Sequence, residues 1–397
     1  MYFLYIVAIL SAIFLNTSIL TLFGFEHNMG IVMGIAFTPM MLYIAIMMLF
    51  KKLRYNKIGV YILMLAVIII IIKFSIGQDY INTVIRFLVI PVLLSICFEN
   101  LGRKELIVLF RSVIILYVVN CGLSIVEWTL NRNFLGDQEG DRYWLEMGFF
   151  RSTSLLGHPL TNAQVVSVIM TFIAVSDFKK KYIQIFLFFL GYVSLFCFNA
   201  RGSILVVTIF AFPYFMWKLN KTVQKSTKWM IRFGVFCMFC GMLYLVIQTP
   251  LGGKLVNMEL LDSSGQTRLD AVQFYKHYHT IDEFLWGIHY DNLGHIIDKV
   301  AGATVENGVI MLLLLYGIFF TIPMLLLLFR FQYHKLSVYP KYEKWLLLAV
   351  FFIIGIMNPN LAMPIQWIMW VFAYYAFRPE SLPQRNENEI HIKTALS

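Results

Sequence analysis

Four arginines stand at or near the ends of apolar runs, where a phosphate-bearing substrate would reach them. Arg151 lies in FFRSTSLLGHPLTNA, Arg201 in FNARGSIL, and Arg268 opens an amphipathic stretch, SSGQTRLDAVQFYKHY. Arg86 sits about six residues inside an apolar run. A guanidinium stays charged and offers phosphate oxygens a planar fork, so several at one rim would bind a diphosphate. A single rim arginine equally serves as a snorkelling contact to lipid headgroups, as Arg111 does at the far end of its run. Arg86 differs, because an ionisable group at that depth faces a cavity or a partner. Gly202 permits a tight turn after Arg201, and Ser203 is placed to cap the helix that follows. Glu306, in GATVENGVIMLLLLYG, has two readings: a helix-start carboxylate favoured by the macrodipole, or a general base for a hydroxyl arriving from outside. Asn307 beside it is placed to orient the acceptor or the carboxylate.

The histidines decide less. His158 precedes Pro159 and reads as a turn residue, with His289 and His295 as further secondary candidates. His277 and His279 point roughly 160° apart on a helix and make no metal pair. HExxH, paired CxxC and P-loop motifs are all lacking, so the motifs offer no metal or nucleotide chemistry and no cofactor is expected. Cys97, Cys121, Cys197, Cys237 and Cys240 all fall inside apolar runs and read as small buried hydrophobes.

The elements that must position these groups are apolar helices. Of the 397 residues 59% are hydrophobic and 14% charged, with mean hydropathy +0.73, against roughly 25% charged in a soluble domain. Runs long enough to cross a ~30 Å hydrocarbon layer recur along the chain, which excludes a soluble enzyme, a disulfide scaffold and a disordered chain. The chain reads as an all-α polytopic membrane protein, one integral membrane domain over 1–397, with about twelve spans. These are expected at 2–23, 30–50, 58–74, 80–98, 106–129, 161–178, 182–200, 203–219, 229–248, 305–329, 345–357 and 361–377. The first run is too long for a signal peptide and lacks its basic start, so it reads as a retained span. Most of the 32 basic residues fall in one alternate set of connections and the tail, placing both termini in the cytoplasm. The net charge of +10 therefore belongs to topology and not to nucleic acid. Two long loops, 131–160 and 249–304, face outward, and the second carries the amphipathic helix. Loops of that length usually carry function. No internal repeat or matched pair of broken spans marks a secondary transporter.

FRSTSLLGHPLTNA at 150–163 resembles the arginine, glycine and proline loop of the O-antigen polymerase and ligase superfamily. FNARGSIL resembles that family's Ser-Arg-Gly helix end, with Ala200 where serine is common. Leu285, Trp286 and Gly287 resemble a turn in its large outer loop, and VENGVIMLLLLYGI at 305–318 resembles the helix after it. The resemblance covers about 150–320 by motif and the rest by hydropathy.

It implies a metal-independent, inverting glycosyltransferase whose donor is a polyprenyl diphosphate-linked glycan, on the outer face of the bacterial cytoplasmic membrane. Residue by residue, it implies Arg151, Arg201 and Arg268 as diphosphate ligands and position 306 as the base; Arg86 joins the ligands from its depth. Ligases of this family typically carry histidine where this chain has Glu306, so the implied activity is that of a polymerase of surface polysaccharide. Implied partners are the lipid-linked substrate and membrane lipid, with a chain-length regulator and a flippase. The alternatives are a ligase of the same superfamily and a lipid-linked oligosaccharide flippase. Embedded charges are few (Lys73, Arg86, Arg111, Glu127 and Arg232), which favours surface chemistry over transport.

Overall fold

The structure is a computed structural model that describes residues 7, 29–50, 53–77, 81–135, 150–222, 280–288, 307–379 and 381–382. Among them the secondary structure is helical, with no strand. The main helices are α1 (Met29–Leu49), α2 (Lys57–Ser75), α3 (Ile81–Glu99), α4 (Arg103–Leu130), α5 (Pro159–Val175), α6 (Lys181–Cys197) and α7 (Arg201–Lys221). After them come a short α8 (Ile281–Trp286), then α9 (Gly308–Lys335), α10 (Lys341–Met357) and α11 (Pro364–Ala376). Five are long and apolar enough to cross a membrane: α2, α3, α4, α7 and α9 with its extension to Val338. The expected span at 229–248 lies outside the described residues, as does that at 2–23 apart from Val7; each of the others coincides with a helix.

Burial sorts these helices into a core and a jacket. All of α5 except Leu160 is buried, and so is α11 from Gln366 onward. A helix apolar on every side belongs at the centre of a bundle. Phe172 of α5 meets Trp370 of α11 at 5.3 Å, and Trp370 meets Phe351 of α10 at 4.7 Å. Ser167 and Thr171 return their hydroxyls to carbonyls of their own helix, Ala163 and Ser167, so they cost the core no unmet donor. The outer faces instead expose large apolar side chains, including Met64, Ile68 and Ile71 of α2, Ile115 of α4, Leu205 of α7 and Leu326 of α9. Such a jacket suits hydrocarbon, where aliphatic exposure carries no penalty. Close approach at the α4–α6 contact depends on Gly191, whose added Cβ would lie 1.9 Å from the Tyr117 hydroxyl.

The polar contacts gather at two opposite ends. At one end Glu99 pairs with Lys335 (2.5 Å) and Arg378 (3.3 Å), and Lys218 pairs with Asp177 (3.3 Å) and Glu343 (3.5 Å). Arg54 and Asn100 exchange bonds there through the Asn100 side chain. The other end carries the close of α4, the 150–158 segment, the α6–α7 turn and the starts of α9 and α11.

The longest apolar run holds a break that its composition conceals. The span expected to begin at 305 starts at Gly308, because the Asn307 side chain caps it, accepting from Val309 N (3.0 Å) and Ile310 N (3.1 Å). Gly317 then leaves the helical region at φ 70°, ψ 174°. The Leu285–Trp286–Gly287 turn docks into this break, with Ile288 N donating to Leu314 O at 2.8 Å. Gly287 has φ +92°, and a Cβ there would lie 2.5 Å from Leu315 O; one on Gly317 would lie 2.2 Å from Leu285 O. Only glycine allows two backbones to approach so closely at positive φ. Trp286 covers the joint, its ring 5.2 Å from Phe319 and 5.7 Å from Phe320. Lys73, fully buried in α2, donates to the Trp286 carbonyl.

Candidate functional site

The 150–158 segment is bound on three sides by helices that the sequence separates widely. Glu127 lies one turn before the end of α4 and is fully buried. Its carboxylate accepts from the Ser152 hydroxyl (2.5 Å), Ser154 N (2.9 Å) and Phe134 N (3.0 Å). Asn120, two turns earlier, accepts from the Ser154 hydroxyl (3.0 Å) and Leu155 N (3.1 Å). Asn133 donates to Arg151 O (3.2 Å) and accepts from Thr153 N (2.9 Å). On the α5 side, Asn162 donates to the carbonyls of Thr153 and His158. Ser154 sits at φ +39°, a left-handed conformation that a non-glycine residue keeps only when its surroundings over-determine it.

This suturing places Arg151 at the end of α6. Its Nε donates to Phe198 O at 3.2 Å, and Ser152 N donates to Cys197 O at 3.1 Å. Arg201 follows Phe198 by three residues and opens α7. Arg151 and Arg201, 50 positions apart in the chain, thus share one rim. The turn between α6 and α7 differs from the expected one. Asn199 makes it, at φ 49°, and Gly202 lies inside the helix, where an added Cβ would sit 3.1 Å from Met357 Cε. Because α7 begins at Arg201, Ser203 falls in its first turn, buried and uncapping; Ala200 takes the cap position without a side-chain bond.

His158 belongs to the same rim. It stands at the cap position of α5 with Pro159 at N1, and contributes no side-chain cap. Desolvation by the surrounding protein, with the Arg151 charge, lowers its pKa to about 4. The ring retains an exposed face, and His158 is neutral at pH 7.

Asn307 reaches this end by another route. Gly308 packs against the carbonyls of Gly355 and Asn358, and the next residues of that segment tie back to α5, Asn360 Nδ2 donating to Leu160 O at 2.8 Å. The Asn307 side-chain carbonyl is committed to its helix cap, which leaves the amide nitrogen as its only group for orienting another residue. Arg86 lies on a π-turn of α3, Ile85–Val89, a device that often marks functional positions. Its neighbour Phe87 stacks on Tyr316 (6.3 Å), next to the Gly317 break, and meets Trp367 (5.7 Å). The turn that carries Arg86 thus packs beside the α9 break through Phe87. Glu306, Arg268, His289 and His295 lie outside the described residues.

The sequence reading gave Glu127 no role beyond that of an embedded charge. The signal was present, a carboxylate in an apolar run followed by two serines in FRSTS, but the pairing spans 25 residues and needs the fold. Cys97, Cys121 and Cys197 are free and buried, as expected; Cys237 and Cys240 lie outside the described residues. Among the described residues no group of His, Cys, Asp or Glu converges as a metal site. The chain matches no family model, no curated protein and no solved structure.

Proposed function

We propose that the chain is a twelve-span glycosyltransferase, both termini cytoplasmic, that joins polyprenyl diphosphate-linked oligosaccharide repeats into a surface polysaccharide. The observation that supports this most is the anchoring of Arg151 on the Phe198 carbonyl, three residues before Arg201, by a loop bound to α4, α5 and α6. Two guanidiniums on one rigid rim suit a diphosphate, and their charge is most useful as that group departs.

In this proposal Arg268 joins them from the second outer loop, and Arg86 joins from its depth in α3. Glu306 takes the proton of an acceptor sugar hydroxyl, whose oxygen attacks the anomeric carbon from the face opposite the diphosphate. The bond from that carbon to the diphosphate oxygen breaks, its electron pair leaves with the lipid diphosphate, and the centre is inverted. The base contributes roughly 10²–10⁴-fold. The site faces outward from a bacterial cytoplasmic membrane.

The lipid-linked glycan profile of cells with and without the gene tests this. Accumulation of single lipid-linked repeats on the outer face, with loss of long chains, is expected. Long polymer stranded on lipid diphosphate would replace the proposal by a ligase, and repeats trapped on the cytoplasmic face would replace it by a flippase.

A further inference from the structure

A second polar constellation lies at the opposite end of the bundle, where the start of α2 meets the ends of α9 and α11. A cavity of about 850 Å³ opens there, with Arg54 and Lys57 on one wall and Arg330 on the other. All three side chains are exposed, and none has a carboxylate partner among the described residues. Glu99, at the cavity floor, cannot neutralise them. Its two oxygens are committed to Lys335 (2.5 Å) and Arg378 (3.3 Å), and the Tyr375 hydroxyl also donates to it. That floor is overdrawn in positive charge even before the rim is counted. Asn56 caps α2 by accepting from Ile58 N (2.8 Å), so the positive end of a 19-residue helix borders the same mouth.

The remaining wall is apolar and aromatic: Ile58, Tyr61 and Leu327. Tyr61 is 55% exposed, and Met64 and Ile68, one and two turns further along α2, are exposed as well, so this wall runs on into the hydrocarbon-facing jacket. A free anion would satisfy the cations and leave the wall unfilled. A phosphate carrying an acyl chain satisfies both, and basic pockets between membrane helices are suited to such headgroups.

We propose that this cavity binds an anionic phospholipid, its phosphate on Arg54, Lys57 and Arg330 and an acyl chain along Tyr61 and Leu327. The site is separate from the rim of Arg151 and Arg201, and stands or falls independently of the glycosyl transfer proposed there. The test is a native mass-spectrometric titration of the full-length protein in micelles with phosphatidylglycerol, phosphatidylcholine or inorganic phosphate. Selective retention of phosphatidylglycerol is expected, undiminished by millimolar phosphate. Arg54→Gln with Arg330→Gln should weaken it about 25-fold, about fivefold for each cation removed. Arg54→Lys with Arg330→Lys keeps the charge and should stay within a few-fold of the parent; if the Gln pair does not fold, Lys57→Gln alone should weaken binding about fivefold. Equal retention of phosphatidylcholine, displacement by inorganic phosphate, or unchanged affinity in the Gln variants would overturn the proposal.

Discussion

At the residue scale, Arg151 owes its place to groups that never approach a substrate. Glu127 receives three donors and offers none, so Glu127→Gln turns one accepting oxygen into an NH₂ facing a hydroxyl or a backbone N–H. A buried donor left unmet costs about 1–3 kcal/mol. Glu127→Gln is expected to lower the thermal midpoint in detergent and to reduce activity through Arg151, whereas Ser152→Ala, which removes one donor of three, costs less. The reverse ranking would show that the carboxylate does not organise this loop. His158 gives a pH-dependent expectation. With a folded pKa lowered to about 4 from an ordinary 6.5, the folded state binds fewer protons than the unfolded chain between those values. Stability therefore falls as pH drops through that window, and His158→Asn should flatten this part of the profile; an unchanged acid limb would contradict it. Arg151 and Arg201 were legible in the sequence as charges at the ends of apolar runs; Arg268 lies outside the described residues. The network beneath them was not, because carboxylate, asparagines and serines acquire meaning only when α4, α5 and α6 meet.

The informative feature at the element scale is the joint between α8 and α9. A glycine within a long apolar run reads as tolerated, and the expected span passes through Gly317 without interruption. Tertiary structure overrides that reading: the Leu314 carbonyl near the break accepts from Ile288, and Leu312 O accepts from the Thr321 hydroxyl at 3.0 Å. A kinked apolar helix needs such replacements, since hydrocarbon supplies no donors. Gly317→Ala should destabilise the protein by more than about 1 kcal/mol, because positive φ and the Leu285 carbonyl both oppose a Cβ. It should also expose the 280–288 segment to limited proteolysis. Parent-like protease resistance would mean that the joint does not hold the outer loop. Helix positions were otherwise legible from hydropathy, with ends displaced where caps decide: Asn307 delays α9, and α7 starts at Arg201 rather than after it.

Across the whole molecule, the separation of polar groups into two ends gives the hydropathy reading a physical counterpart. One end holds the Glu99, Lys218 and Glu343 ion pairs, and the other holds Arg151, Arg201 and His158. The positive-inside expectation assigns the first end to the cytoplasm. With the five native cysteines replaced, His158→Cys should then react with a membrane-impermeant maleimide in intact cells, and Lys341→Cys only after permeabilisation. The opposite pattern would invert the topology and turn the arginine rim away from the outer face.

The glycosyl-transfer account rests on that rim, and Arg201 tests it most directly. Cells lacking the gene would be complemented with the parent chain or with Arg201→Ala, matched for protein abundance, and their lipid-linked glycans resolved by length. Loss of one charge-stabilising donor typically costs about 10²–10³ in rate, so Arg201→Ala should leave single repeats and no ladder. A full-length ladder from Arg201→Ala would contradict the account, because no diphosphate site at this rim could dispense with it.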